Sequence, residues 1–167
     1  MDRSPEADHK KLWDLIKDEH TAVLVTIAED GSLDSRPMGC LQKEFDGTLW
    51  FMTFADSAKR SEIDSNQNVL VSYARPAKYE FISVSGRARI VNDHAALRSL
   101  WSEALRVWFP QGPDSPDLAL VAIDVDMAKT WTKPASMVTY GYYYLRARLT
   151  GKAPTADEAA KLETIKM

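Results

Sequence analysis

The sequence predicts an α+β, mainly β fold in which six or seven antiparallel strands curl into a barrel, with two or three helices set between them. Three observations carry this. Short β-branched or aromatic runs recur along the chain with Gly, Asp or Pro turns between them. Two other stretches repeat their apolar residues at helical spacing. The 167 residues, 45% of them hydrophobic, suffice for one sizeable core and leave little room for a second, so a single domain over residues 1–167 is expected.

The elements follow in order. Ser4-Pro5 is a cap followed by proline at the first helical position, and Leu12, Trp13, Leu15 and Ile16 continue a helix to about Lys17. Thr21 to Ile27 is a β-branched strand. The turn Glu29-Asp30-Gly31-Ser32 leads into a strand from Leu33 to Leu41, which Pro37, lacking an N–H, assigns to an edge or a bulge. Asp46-Gly47 delivers the chain to a strand starting at Leu49, so the first three strands read as an antiparallel meander with Arg36 near Thr53. A helix from Ser57 to Asn66 follows, then a strand from Val69 to Ala74, a kink at Arg75-Pro76, and a long strand from Tyr79 to Val91 in which Gly86 marks a bulge or a corner. Asp93 caps a helix whose stripe is Leu97, Leu100, Trp101, Ala104, Leu105 and Trp108. Pro110 to Pro116 is a loop. Leu118–Val125 and Ala128–Thr132 read as two strands parted by a turn at Asp126. Beyond a tyrosine-rich segment, Tyr140 to Tyr144, the capping box Thr155-Ala156-Asp157-Glu158 predicts a short C-terminal helix.

Composition removes several classes of function. With 21 basic against 24 acidic residues the net charge is −3, and no basic run could track a nucleic-acid backbone. No apolar run approaches the roughly 20 residues that span a bilayer. A lone cysteine, Cys40, and an N-terminus without an apolar signal core lead us to expect a soluble cytoplasmic protein. His9, His20 and His94 lack cysteines or carboxylates at ligand spacing, so no metal is expected. Cys40 has no catalytic-thiol signature, and the Gly-x-Ser-x-Gly, Gly-x-Gly-x-x-Gly and P-loop patterns are absent.

The informative stretch runs from Leu49 to Ile63, where an aromatic strand hands over to a helix. At the junction Thr53 and Ser57 offer hydroxyls, the helix start offers free N–H groups, and Lys59 and Arg60 supply positive charge, a combination that suits a phosphate. The alternative is that Asp56 or Ser57 merely caps a surface helix with solvated cations. No acid, base or nucleophile accompanies these residues, which suits a cofactor that brings its own chemistry.

Arg36-Pro37-Met38, Leu49-Trp50-Phe51-Met52-Thr53 with Ser57-Ala58-Lys59 and Ile63, Val71-Ser72-Tyr73, Val84-Ser85-Gly86-Arg87-Ala88, Trp108-Phe109-Pro110 and Pro116-Asp117-Leu118-Ala119-Leu120 stand in this order. Together they resemble the flavin-binding split barrels related to pyridoxamine 5′-phosphate oxidase, and within them the general stress protein 26 branch. The resemblance, from Leu12 to Trp131, implies a homodimer of split barrels with two FMN sites at the interface, each lined by both protomers. It implies that Arg36, Ser57 and Lys59 hold the phosphate with Thr53 at its ribityl end. Pro37, Met38, Phe51 and Met52 would run beside the flavin ring, and Trp131 would contact the ring from the partner. The oxidases carry an arginine- and histidine-bearing C-terminal segment for pyridoxal phosphate, which Gly141-Tyr142-Tyr143-Tyr144-Leu145-Arg146 does not reproduce, so vitamin B6 oxidation is not expected. What remains is an FMN-dependent oxidoreductase or flavin reductase of unknown substrate, or a stress protein that sequesters or senses flavin without turnover. Haem or a deazaflavin is the weaker reading: no histidine has an axial-ligand context, and the basic cluster for a polyanionic tail is missing.

Overall fold

In the computed structural model, which describes residues 5–132, 137–155 and 161–167, the chain forms one curled antiparallel sheet of seven strands with four α-helices around it. The elements are α1 (Pro5–Ile16), β1 (Thr21–Ile27), β2 (Leu33–Gly39), β3 (Thr48–Phe54), α2 (Ala58–Ser65), β4 (Asn68–Arg75), β5 (Glu80–Val91), α3 (His94–Leu100), β6 (Leu118–Thr132), α4 (Met137–Thr150) and β7 (Lys161–Lys166). The strands follow the order β2-β1-β4-β5-β6-β3, with β7 also pairing β6. This is the split-barrel architecture. Its interior is filled by alternate residues of each strand, among them Leu24, Val71, Val84 and Ile123, together with Leu12 and Ile16 from α1 and Ile63 from α2.

The expected meander does not form. β1 and β2 make the hairpin, with Pro37 opposite Val23 on the edge strand, but β3 crosses to the far end of the sheet and pairs β6 from Thr48↔Asp124 to Phe54↔Leu118. The reason lies in burial. β3 carries Leu49 and Phe51 on one face and Met52 on the other, and must be covered on both. Beside β6 it is covered, by the main core inside and by a second apolar cluster outside, where Leu97, Leu118 and Leu120 join Met52 and are flanked by Trp101, Leu105 and Phe109. The sheet's two edges, β2 and β3, then approach each other without a ladder between them: Cys40 bridges Phe51, and the Gln42 amide donates to the Thr48 carbonyl and accepts from the Trp50 N–H.

Three further expectations are corrected. The Asp93-capped helix is real, its carboxylate accepting from the amides of Ala95 and Ala96, but it ends at Leu100. Trp101 is extended, and a separate 3₁₀ turn, Glu103–Val107, brings Leu105 and Phe109 against β3 while leaving Val107 and Trp108 exposed. No turn occurs at Asp126. β6 is one 15-residue strand, and Asp126 is the extra residue of a β-bulge, because Ser85 pairs Met127 while Gly86 pairs Val125. Gly86 itself is at the bulge, as expected, since a Cβ there would fall 2.3 Å from the carbonyl oxygen of Asp124. The tyrosine-rich segment is the helix α4, and the predicted C-terminal helix is replaced from Lys161 by the strand β7. The remainder of its capping box, residues 156–158, lies outside the described residues.

Candidate functional site

The candidate site forms where β3 hands over to α2 and both meet the β1–β2 hairpin. Thr53 sits on the inner face at the end of β3, 2% exposed. Six residues later, in the first turn of α2, Lys59 returns to the strand it left, and its Nζ donates to Thr53 Oγ1 over 2.8 Å. Ser57 occupies the N-cap position with an extended backbone, but its side chain does not cap the helix. Its Oγ lies 3.3 Å from Thr53 Oγ1 instead. The start of α2 is therefore left without a side-chain cap, facing two hydroxyls and an ammonium.

Electrostatics separate Lys59 from an ordinary surface lysine. Partial burial, then the nearby Arg36 charge, hold its pKa below the usual lysine value, while Glu62 pulls the other way. Among the described residues Lys59 makes no ion pair, whereas its neighbour Arg60 turns back to Asp64 at 3.7 Å and to the carbonyl of Ala55 at 3.3 Å. Of the two cations read from the sequence, only Lys59 joins the hydroxyls.

Arg36 reaches the same corner from β2 by another route. Its guanidinium donates to Thr26 Oγ1, to Glu62 at 2.7 Å and to Asp34 at 2.6 Å. Thr26 in turn donates to Glu62 at 2.5 Å. Sequence reasoning missed Thr26 and Glu62. The available signals were that Thr26 falls at an inward position of β1, which must find a partner, and that Glu62 lies three residues after Lys59, one turn along α2.

The remaining predicted site residues are distributed differently. Met38 and Phe51 bury their side chains in the main core and Met52 in the second cluster, so what they offer along the seam is backbone; Pro37 is exposed on the edge strand. Trp131 stands opposite Phe81 and Leu162 on the outer face of the sheet. It lies 12 residues along β6 from Ala119, the partner of Thr53, or roughly 40 Å of strand at about 3.3 Å per residue. A single chain does not bring Trp131 to the Thr53 corner. Cys40 lies at the seam, where burial pushes its thiol up to about 11 with Tyr73 beside it, which makes it a poor nucleophile at neutral pH. A cavity of about 390 Å³ opens there, lined by Trp13, Cys40 and Tyr73 among others, and one of about 410 Å³ lies between α1 and the strands β6 and β7; neither includes Thr53, Ser57 or Lys59. No helix among the described residues is long and apolar enough to cross a membrane.

Residues 7–155 match the profile of a family described as pyridoxamine 5′-phosphate oxidase like. The chain belongs to that family. It is 29% identical to general stress protein 26 of Bacillus subtilis over 119 residues, covering 69% of this chain and 81% of that one. It is 24% identical to the protein bli-3 of Neurospora crassa over 144 residues, 81% of this chain and 69% of the other. Among solved structures, the general stress FMN/FAD binding protein of Xanthomonas citri superposes with a TM-score of 0.66 at 28% identity, over 79% of this chain and 93% of that one. The split-barrel fold and the relationship to general stress protein 26 are thus established for this chain.

Proposed function

We propose that this protein binds FMN, with the phosphate held by Lys59, Ser57 and the start of α2, Thr53 at the ribityl end, and Arg36 behind them. The observation that carries the reading is the Lys59–Thr53 contact. A partly buried ammonium that makes no ion pair among the described residues, beside two hydroxyls and a helix start without a side-chain cap, is a set of donors that suits an anion. When bound, the flavin supplies the electron chemistry, and the chain's residues bind it, orient it and govern access to it.

The working form is a homodimer with the cofactor at the interface. In support, the outer face of the sheet is apolar or small over several strands. Pro37, Val23, Ser72 and Ser83 stand side by side in one row that continues into the exposed Lys129 of β6, and Phe81, Trp131 and Leu162 in another. Such a face suits burial against a second copy. The open corner at Lys59 would then be closed by the partner, whose Trp131 meets the ring, while backbone along Pro37–Met38 and Phe51–Met52 borders it. A cytoplasmic flavin-dependent oxidoreductase of small molecules other than vitamin B6 is the activity we assign.

Two measurements test this. The purified protein should show the visible absorption of oxidised flavin and release FMN on denaturation; a colourless protein that takes up no added FMN rejects the binding. Anaerobic mixing with NADH or NADPH, followed at the flavin bands, then tests turnover. Bleaching supports the oxidoreductase. Bound flavin that stays oxidised with every donor tried favours a carrier or sensor instead, a reading helped by the lack of any histidine at the corner.

A further inference from the structure

We infer that Glu62 is a positioning residue for this site: with Thr26 it fixes the Arg36 guanidinium beside Lys59, so that the two cations meet an incoming phosphate as one rigid pair. The inference rests on the phosphate reading above and adds a group to which neither the sequence motifs nor the resemblance assigned a role.

Glu62 is 8% exposed and Thr26 is wholly buried. A carboxylate at that depth needs partners. Two other elements supply them, both at Oε2: Thr26 Oγ1 of β1 donates over 2.5 Å, and Arg36 of β2 donates over 2.7 Å. Arg36 closes the triangle by donating to Thr26 as well. Three elements are thereby locked to one another by their side chains, and the lock lies one helical turn from Lys59.

The arrangement resolves an electrostatic difficulty. Arg36 repels Lys59, whose ammonium also loses hydration in the corner, while the Arg36 side chain is only 17% exposed. Without an anion they would tend to separate, with Arg36 rotating to solvent. Glu62 counters this by holding Arg36 from the side of the core. The guanidinium spends three of its donor contacts on Thr26, Glu62 and Asp34, which leaves two of its five N–H groups for a ligand. The site is thus pre-organised before any phosphate arrives, which lowers the ordering cost of binding.

The test is a double-mutant cycle read as the ratio of FMN to riboflavin affinity, titrated by fluorescence quenching at one ionic strength. Glu62→Gln keeps the shape and removes the charge. It should weaken FMN roughly tenfold while changing riboflavin by less than about twofold. In an Arg36→Met background, Glu62→Gln should cause no further change, because the residue it positions is gone. Thr26→Val provides a second variant if Glu62→Gln does not fold, and should shift the ratio in the same direction. Tighter FMN binding by Glu62→Gln, equal losses for both flavins, or additive losses in the double variant would each overturn the inference. Lys59→Ala serves as the control. If it leaves the ratio unchanged, the phosphate reading itself fails; if it lowers the ratio while Glu62→Gln does not, only the role of Glu62 fails.

Discussion

Lys59 and Thr53, six residues apart on a helix and on the strand before it, are joined through a 2.8 Å hydrogen bond from ammonium to hydroxyl. That bond folds the strand-to-helix junction back on itself. It also points a desolvated positive charge at the start of α2, and the first prediction follows from it. A charge-assisted hydrogen bond to phosphate is worth about 1.5 to 3 kcal/mol. Lys59→Ala should therefore raise the FMN dissociation constant roughly 10- to 150-fold, at about 1.4 kcal/mol per factor of ten. Riboflavin, without the phosphate, should bind poorly to both proteins and barely distinguish them. Equal losses for the two flavins would remove the phosphate from this corner.

The second prediction concerns pH. Burial, then Arg36, place the folded-state pKa of Lys59 below the ordinary 10.5. Phosphate beside the ammonium favours its charged form, so binding takes up a proton wherever the free site has lost one. FMN affinity should accordingly hold steady below the lowered pKa and decline above it, until the higher pKa that the phosphate gives the lysine in the complex is reached, by at most tenfold per pH unit. Lys59→Met should flatten that decline. The unliganded protein should behave in the opposite sense: a lysine with a depressed pKa costs stability while it is charged, and that cost is relieved as pH rises from the lowered pKa towards the ordinary 10.5. Titration calorimetry and urea melts across the alkaline range read the two signs separately. A decline in affinity that persists in Lys59→Met would assign it to another group.

A third prediction tests the bulge. Gly86→Ala forces a methyl to within 2.3 Å of the Asp124 carbonyl oxygen, a contact between backbone-fixed atoms that no side-chain rotation relieves. A destabilisation of at least about 1 to 3 kcal/mol is expected, lowering the melting temperature by several degrees at roughly 2 to 4 °C per kcal/mol. An unchanged melting curve would show that β5 and β6 can slide to another register.

The fourth prediction addresses assembly. Leu70 lies on the outer face of β4, 37% exposed, opposite Val25 and Ser85. Leu70→Glu adds one charge to each copy of that face, so a two-fold interface there would bring like charges together. Sedimentation should find the parent protein dimeric at micromolar concentration and the variant monomeric, with FMN affinity falling as the partner is lost. A variant that stays dimeric would put the interface elsewhere.

Much of this architecture was legible because it is written locally. The alternation in Thr21–Ile27, the proline of β2, the Asp93 cap and Gly86 each state their own conformation. What was not legible was set by distant partners. Nothing inside Thr48–Phe54 says that β6 rather than β2 will pair with it; that is decided by the need to cover both of its faces at once. Asp126 has the chemistry of a turn, and only the continuous partner β5 makes it a bulge. The stripe from Leu97 to Trp108 has helical spacing, yet packing against the outer face of β3 interrupts it after Leu100. At the site, Lys59, Thr53 and Ser57 could be grouped because no two of them are more than six residues apart. Glu62 could not be tied to Thr26, which lies 36 residues away.

The pairing of β3 with β6 also orders events in time. Thr48 and Asp124 are 76 residues apart, and closing so long a loop delays the contacts it brings. The β1–β2 hairpin and the β4–β5 ladder can form as soon as their residues exist, but the strand that carries Thr53 has no ladder partner, beyond the single bridge from Phe51 to Cys40, until Leu118 and its successors have been made. A growing chain therefore carries the sequence of the anion corner long before it carries the corner itself. If flavin binds this corner as proposed, it binds too late to template early folding, and chains halted short of β6 expose an apolar third strand without its ladder.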